Sequence, residues 1–352
     1  MARAGLPHAI LLSGPAGAGK STLAEDIAAF ALCAAADGER PCGACRACRL
    51  VRDGRHPDVH LLAPDGPGGQ VRVDAVRSLG ADLALHGVEG NARLAIVERA
   101  DRMNEDAQHV LLKTLEEPPQ GVTILLVADD EDRLLPTVRS RVARVRLGRA
   151  PVRDIEALLS ELGLAEPPDG ARIARAADGL PGRAIAYAGA PAALAERAEM
   201  GRLILDMLSM PRARRLGLAS DLLASASAAA RALEGGGSSP SVPREPADGS
   251  GEPAASTKVP PTERRRALAW LIALWEDVAR DLAAAILGDP RRVRETALLD
   301  DLTEAAPRVG MGEVLAFLER LTVTSRRLEA NVSPELALDG LVLAWPRLAD
   351  GV

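Results

Sequence analysis

Aromatic side chains are scarce in this chain of 352 residues, which has three tryptophans, two phenylalanines and one tyrosine. Proteins that bind single-stranded nucleic acid stack the bases on aromatic rings, so this composition excludes a stacking platform of that kind. The core must be built mainly from aliphatic residues and alanine, and an alanine-rich core favours helices.

An excess of positive charge is also missing, because 43 Lys and Arg stand against 49 Asp and Glu, for a net charge of −6. Binding to DNA over the whole surface needs concentrated Lys and Arg, so a role with nucleic acid must be local or indirect. No apolar run approaches the roughly 20 residues that span a bilayer, and the apolar stretch near the N-terminus is too short for a signal peptide. We therefore expect a cytoplasmic protein with no membrane contact, whose four cysteines stay reduced.

Strand and helix signals alternate through about the first 150 residues. The predicted strands are Ala9–Leu12, Arg93–Val97 and Thr123–Val127, and the predicted helices are Ser21–Ala34 and Asn104–Glu117. Asn104 is a suitable helix cap, and Pro118 and Pro119 end that helix. Strands separated by helices predict an α/β fold, a parallel sheet with helices on both faces.

From Pro151 onward the strand signals end and helical patterns rich in Ala, Leu and Arg replace them. Residues Gly235–Thr262 are rich in Gly, Pro and Ser, a composition that predicts a disordered linker. After it, apolar residues recur at helical spacing from Ala267 to Ile286, so an all-α region resumes. A chain of this length predicts two or three domains.

A glycine-rich segment after the first predicted strand fits the P-loop pattern G-x-x-x-x-G-K-[ST]. The backbone N–H groups of such a loop surround phosphate oxygens, the lysine reaches the β- and γ-phosphates, and the serine ligates Mg²⁺. A glycine-rich turn without a ligand is the alternative, but the flanking strand and helix favour ATP or ADP with Mg²⁺. The candidate nucleotide-binding residues are Gly14, Gly17, Gly19, Lys20, Ser21 and Thr22.

The acidic motif that a P-loop ATPase needs is degenerate. The strand Arg93–Val97 runs into Glu98, Arg99 and, two positions later, Asp101. Glu98 can approach a metal ion, but Arg99 stays protonated and cannot polarise water as a carboxylate does. These residues favour a nucleotide site that does not hydrolyse ATP, with hydrolysis as the alternative.

Four cysteines lie within sixteen residues, in the pattern C-x8-C-x2-C-x2-C formed by Cys33, Cys42, Cys45 and Cys48. Four thiolates without an open position are typical of structural Zn²⁺. An iron–sulfur cluster or free thiols are the alternatives, although the C-x3-C-P continuation of the ferredoxin pattern is absent.

Together these motifs resemble the AAA+ subunits of the bacterial DNA polymerase III clamp loader. The resemblance rests on the P-loop after His8, the cysteine insertion after the P-loop helix, the nonapeptide Leu111–Pro119, and Ser140-Arg141-Val142, similar to the family's Ser-Arg-Cys motif with Val replacing Cys. It covers about residues 8–190 strongly and the segment from Asn331 to Trp345 weakly.

The resemblance implies three domains: an AAA+ P-loop domain over 1–148 with a zinc module at 33–48, a small helical lid over 149–203, and a helical collar over 204–352 that the linker 235–262 interrupts. It implies a hetero-pentamer with gamma/tau and delta subunits, acting through the complex on the sliding clamp and primed DNA at the nucleoid-associated replisome. It also implies that Arg141 is an arginine finger, offered in trans to the nucleotide of a neighbouring subunit.

Two branches of this family carry such a zinc module, the ATPase gamma/tau and the delta prime type. Glu98-Arg99 replaces the Walker B Asp-Glu, the sensor 1 Thr falls at Ala128 or Asp129, and Gly182 stands at the sensor 2 Arg. These departures resemble the delta prime branch and imply little or no ATPase activity of its own within the polymerase holoenzyme. An active gamma/tau-type ATPase is the alternative, and the motifs argue against a P-loop small-molecule kinase.

Overall fold

The computed structural model of the protein describes residues 6–36, 38–64, 69–85, 87–88, 92–236, 260–329 and 332–349. These residues form two compact units. The first unit contains the described residues up to Ala150 together with Leu180–Gly182, and the second contains Pro151–Gly179 and the described residues from Arg183 onward. The lid and collar boundaries implied by the family resemblance stay predictions.

A five-stranded parallel sheet forms the centre of the first unit, with the spatial order β2-β3-β4-β1-β5. The strands are β1 (Ala9–Ser13), β2 (Val59–Leu62), β3 (Arg93–Val97), β4 (Val122–Ala128) and β5 (Ala143–Arg146). The three central strands match the predicted ones within a residue at each end. The two edge strands were not predicted, because β5 is fully exposed and β2 has no fully buried residue, so neither carries a continuous apolar signal.

Helices cover both faces of this sheet, which confirms the predicted fold class. The helices of this unit are α1 (Lys20–Leu32), α2 (Arg46–Arg52), α3 (Val73–Ala84), α4 (Glu105–Glu116) and the short α5 (Pro136–Arg139). Because side chains alternate along a strand, Leu11 packs with the core under α3 and α4, whereas Leu12 packs with the core under α1 and α2.

The predicted start of α4 is confirmed in detail, since the Asn104 side chain accepts a hydrogen bond from the Ala107 N–H at 2.9 Å. Helix α1 begins one residue before its prediction and ends at Leu32, because Cys33 leaves the helical conformation at φ −59° and ψ 134°. This early end releases Cys33 from the helix toward the other cysteines.

The second unit is all helical within its described residues, as predicted. Its helices are α6 (Val152–Glu161), α7 (Asp169–Ala176), α8 (Pro181–Gly189, whose first two residues cluster with the first unit), α9 (Pro191–Asp206), α10 (Arg212–Gly236), α11 (Pro261–Ile286), α12 (Leu299–Ala305), α13 (Met311–Glu329) and α14 (Pro334–Ala344). Short 3-10 turns join several of them. In the part of the chain that the structure describes, no helix combines the length and apolarity that a membrane span requires.

The largest core of the second unit contains half of the chain's aromatic residues. The rings of Trp275, Phe317 and Trp345 contact one another, with centroids 5.9 Å apart for Trp275 and Phe317, 4.7 Å for Phe317 and Trp345, and 6.3 Å for the two tryptophans. The scarce aromatic side chains are therefore concentrated in one helical core, where edge-to-face contacts add to their burial.

The predicted linker 235–262 is two residues too long at each end. Residues 237–259 lie outside the described residues. Gly235 and Gly236 still belong to α10, while Pro261 and Thr262 form the first turn of α11. Pro261 fits the first helical position because its φ suits a helix and its missing N–H is not needed there.

Candidate functional site: a P-loop at the carboxyl edge of the sheet

The predicted nucleotide-binding residues meet at one edge of the parallel sheet. Strands β1, β3 and β4 are neighbours, and their carboxyl ends lead into Gly14, Glu98 and Asp129. The sheet topology thus brings together Gly14 and Asp129, which lie more than a hundred residues apart in the chain. In open parallel sheets, ligands bind outside the carboxyl ends of the strands.

The glycines of the P-loop adopt backbone conformations that other residues rarely take. Gly14 has φ +146°, and a Cβ placed there would lie 2.1 Å from the carbonyl oxygen of Leu147. Gly19 has φ +90° and stands at the N-cap of α1. The loop therefore turns into the N-terminus of α1 as the motif requires, and the partial positive charge of that end faces the loop.

Lys20, the lysine of the motif, is 5% exposed and contacts three acceptors of its own chain. Its ammonium donates to the carbonyl oxygens of Gly14 and Pro15, each at 2.8 Å. It also lies 2.8 Å from Oδ1 of Asp129, just after β4. Ser21 and Thr22 follow on the exposed side of α1.

Glu98 follows β3, as predicted, and accepts a hydrogen bond from the hydroxyl of Ser21 at 3.0 Å. Burial raises the pKa of Glu98, and the nearby carboxylates of Glu25 and Asp129 raise it further, against the effects of Ser21 and Lys20. Ser21 and Glu98 are thus positioned as a hydroxyl and a carboxyl that could share an Mg²⁺ ion.

Arg99 stands beside Glu98 in a left-handed conformation, with φ 52°. Its guanidinium contacts two carboxylates, with Nε 3.5 Å from Asp101 and an NH2 group 3.2 Å from Asp129. Asp101 also accepts a hydrogen bond from the Asp129 backbone N–H at 3.2 Å. A cation bound into this network cannot take a proton from water, so the position next to Glu98 carries no general base.

Gly182, where the sequence places the sensor 2 residue, lies against the P-loop within the first unit. Its N–H donates to the carbonyl oxygen of Gly17 at 2.9 Å. A Cβ on Gly182 would lie 3.2 Å from both the Cα and the carbonyl oxygen of Gly17, so a larger residue here requires the loop to shift. A side chain at this position therefore requires the backbone at Gly17 to move by a few tenths of an ångström.

Arg141, the arginine finger that the resemblance implies, lies between α5 and β5. Its guanidinium donates to the carbonyl oxygen of Thr137 at 3.0 Å and lies 2.8 Å from Oε1 of Glu116 at the end of α4. The side chains of Arg141 and Glu116 are 37% and 50% exposed. The group is therefore accessible at the surface, and its described contacts are a solvated ion pair and hydrogen bonds to the preceding residues Thr137 and Ser140.

The four cysteine side chains converge as predicted. Their sulfur atoms all lie within 4.8 Å of one another, and the sulfurs of Cys33 and Cys45 are 3.9 Å apart. Tetrahedral Zn²⁺ with Zn–S bonds of about 2.3 Å separates its sulfurs by roughly 3.8 Å, so this donor set fits such an ion. Cys33 comes from the end of α1, and Cys45 is the N-cap of α2.

Backbone N–H groups point at these sulfurs. Hydrogen bonds from the N–H groups of Ala34 and Cys48 lower the pKa of Cys45 to about 6, whereas burial raises the pKa of Cys48 to about 12. A bound cation would favour the thiolate form at every position. The cluster can hold a metal ion through sulfur alone, and four sulfur ligands fill every position of a tetrahedral ion.

Two acidic residues, Asp129 and Glu131, form ion pairs and hydrogen bonds near the P-loop that were not predicted from the sequence. Asp129 was considered only as a sensor position, yet it binds Lys20 and Arg99. Glu131 is 8% exposed and accepts a hydrogen bond from Ser13 of β1 at 2.9 Å while pairing with Arg146 of β5. The sequence gives no signal for these contacts, since each carboxylate binds partners that only the sheet brings close.

The first 151 residues match the family model described as DNA polymerase III, delta subunit. The delta' subunit of DNA polymerase III from Pseudomonas aeruginosa is 42% identical over 139 residues, which are 40% of this chain and 42% of that protein. The delta' subunit from Escherichia coli is 35% identical over 179 residues, 47% of this chain and 54% of that protein.

A tau subunit of DNA polymerase III from Escherichia coli is 32% identical over 177 residues, 49% of this chain and 27% of that protein. The matches with the delta' relatives span about half of their length. They confirm the resemblance drawn from the motifs: the N-terminal region is similar to delta' subunits, with gamma/tau subunits as relatives.

Proposed function

We propose that the chain is the delta prime subunit of the DNA polymerase III clamp loader, which assembles with gamma/tau and delta subunits in a hetero-pentamer. In that complex it helps to load the sliding clamp onto primed DNA in the cytoplasm, at the replisome. The similarity of residues 1–151 to delta' subunits supports this function, because that region contains the P-loop, the cysteine cluster and Arg141.

The observation that favours delta prime over an ATPase subunit is the position of Arg99. Its guanidinium contacts Asp101 and Asp129 where an ATPase needs a carboxylate to polarise the attacking water. Gly182 lies against Gly17 where a sensor arginine would stand, and so supports the same conclusion. The chain therefore contributes little or no ATP hydrolysis of its own.

Arg141 is the group that this subunit offers to its neighbour. An arginine finger must reach the γ-phosphate held by another subunit, so it has to be exposed and free to leave its resting contacts. Arg141 meets both requirements, since among the described residues it pairs with the half-exposed Glu116 and otherwise donates to the preceding residues Thr137 and Ser140. It would stabilise charge on the transferring phosphoryl group of the neighbouring ATPase.

Cys33, Cys42, Cys45 and Cys48 would hold one structural Zn²⁺, which stabilises the segment between α1 and α2 without taking part in catalysis. We expect about one equivalent of zinc and no iron by elemental analysis of the purified chain. Iron, or less than about half an equivalent of zinc in protein prepared without chelator, would contradict the zinc assignment.

The experiment that tests the proposed function compares two substitutions in the assembled, DNA- and clamp-stimulated loader. Arg141→Ala should lower ATP turnover by about 10³-fold, because fingers in other systems contribute about 10³ to 10⁵. Lys20→Ala should change turnover less than about twofold, since it alters a site that performs no hydrolysis. Arg139→Ala is the matched control, an arginine two positions away that pairs with Asp132.

Copurification with gamma/tau and delta verifies that every variant is still assembled when turnover is measured. The isolated chain should show negligible ATPase activity. If Lys20→Ala abolished turnover while Arg141→Ala left it intact, the chain would be a gamma/tau-type ATPase subunit.

A further inference from the structure

The ammonium of Lys20 has no hydrogen-bonding capacity left in this structure. A lysine ammonium has three N–H donors, and Lys20 meets three oxygen acceptors at 2.8 Å: two P-loop carbonyls and Oδ1 of Asp129. With the residue 5% exposed, water cannot replace these partners easily. The carboxylate of Asp129 is the one negatively charged group among them.

Asp129 is held in this position from several directions. Its Oδ2 lies 3.2 Å from the guanidinium of Arg99, and its backbone N–H donates to Asp101. Asp101 has a side chain that is 2% exposed, and it also contacts Arg99. Asp129 directly follows β4, whose last residue, Ala128, is in register with Ser13 just before the P-loop. The sheet and this network fix the carboxylate against Lys20.

In a P-loop that binds nucleotide, the lysine reaches phosphate oxygens, and these are anionic like a carboxylate. We infer that Asp129 is an internal anion of this P-loop: its carboxylate occupies Lys20 in place of the phosphates of a nucleoside di- or triphosphate, and so sets the affinity of the site for nucleotides. A phosphate entering the loop must displace Asp129 from Lys20 or share the lysine with it. Either route costs free energy, because the first separates a mostly buried ion pair and the second places like charges a few ångströms apart.

Glu98 competes little with Asp129 for Lys20, because burial disfavours its charged form and the charges of Glu25 and Asp129 disfavour it further. Removing the charge of Asp129 should therefore lower the repulsion of a phosphate and release Lys20 to bind it. This inference concerns nucleotide affinity and does not depend on the finger role of Arg141.

Calorimetric titration of the full chain with Mg²⁺-ADP and with Mg²⁺-ATP tests this inference. Asp129→Asn, which keeps the shape and removes the charge, should lower the dissociation constant at least about tenfold relative to the unaltered chain. Asp129→Thr is a second replacement, needed if the first variant does not fold, and thermal melting checks both. Combining Asp129→Asn with Lys20→Met should abolish the gain, because the released lysine would be missing.

Two controls separate the charge of Asp129 from a general loosening of the loop. Asp132→Asn removes an exposed carboxylate nearby that pairs with Arg139, and it should leave the affinity unchanged. Arg99→Ala removes the other partner of Asp129 but keeps its carboxylate on Lys20, and it should not tighten binding. The inference is overturned if folded Asp129 variants bind no tighter than the unaltered chain, if the gain survives Lys20→Met, or if Arg99→Ala gains as much. None of these results changes the turnover comparison in the assembled loader, so the proposed function stands or falls separately.

Discussion

The two cations that the motifs single out, Lys20 and Arg141, have opposite environments. Lys20 is 5% exposed, at the start of α1, and its ammonium contacts two backbone carbonyls and Asp129. Arg141 is 37% exposed and has a half-exposed carboxylate, Glu116, as its ion-pair partner. The charge of Lys20 is therefore compensated inside the fold, whereas the charge of Arg141 is accessible to another molecule at the surface.

This difference indicates which of the two groups can act on another molecule. An exposed ion pair contributes about 0 to 1 kcal/mol, so it restrains Arg141 without committing it. A buried lysine that loses its carboxylate partner leaves an uncompensated charge, so it stays where it is. A P-loop motif therefore does not by itself make a subunit the one that hydrolyses nucleotide.

The largest expected effect comes from replacing the planar guanidinium of Arg141 with the ammonium of lysine. Arg141→Lys keeps one positive charge but loses the planar fork that contacts two phosphate oxygens, so turnover of the assembled loader should fall about 10²-fold or more. Arg139→Lys is the control and should leave turnover within about twofold. Full activity of Arg141→Lys would mean that a charge alone suffices, and the finger geometry would be wrong.

The second expected effect is on stability and should reverse the ranking of the two residues. Lys20→Met should lower the free energy of unfolding by about 2 kcal/mol, because the Asp129 carboxylate loses its closest cation. Arg141→Met should change it by less than about 0.5 kcal/mol. Urea unfolding of the isolated chain measures the change in the free energy of unfolding for both variants. Equal changes would contradict the conclusion that the Lys20 ion pair stabilises the fold more than the Arg141 ion pair does.

A third, smaller effect depends on pH and on Glu131, which links β1 before the P-loop to β5 after Arg141. Hydrogen bonds from Arg146 and Ser13 hold the pKa of Glu131 below the ordinary value of about 4.3. Its contribution to stability is therefore present above that value and is lost as the pH falls through the lower pKa of the folded state.

Glu131→Gln should lower stability at pH 7 by about 1 kcal/mol and shrink the loss of stability between pH 6 and pH 3. Thermal melts across this range measure the change, with Asp132→Gln as an exposed control. If Glu131→Gln lost as much stability between pH 6 and pH 3 as the unaltered chain, the Glu131 carboxylate would not stabilise the contact between β1 and β5.

The smallest expected effect comes from Glu116→Gln, which weakens the resting contact of Arg141. Stability should change by less than about 0.5 kcal/mol, and turnover of the assembled loader should stay within about threefold of the unaltered complex. Glu117→Gln, an exposed neighbour, is the matched control. A large loss specific to Glu116→Gln would mean that this carboxylate positions Arg141 during turnover.

Central strands and capped helices were predictable from the sequence because each carries its own local signal. β3 lies where its apolar run predicted it, and Asn104 caps α4 as expected. The edge strand β5 was missed because its alternating arginines are all exposed, and an edge strand depends on the neighbouring strand for its form. The predicted linker is too long, since composition alone cannot tell where α10 ends and where α11 begins.

The amino-acid sequence by itself determined the P-loop, the four clustered cysteines, the arginine beside Glu98 and the Ser140-Arg141 motif, because each is a local pattern of residue types. Only the tertiary structure decided that Asp129 binds Lys20, that Glu131 joins β1 to β5, and that Glu116 receives Arg141. The members of these pairs lie 15 to 118 positions apart in the chain. An ion pair or hydrogen bond depends on distances of about 3 Å, and such distances exist only after the parallel sheet has brought its strand ends together.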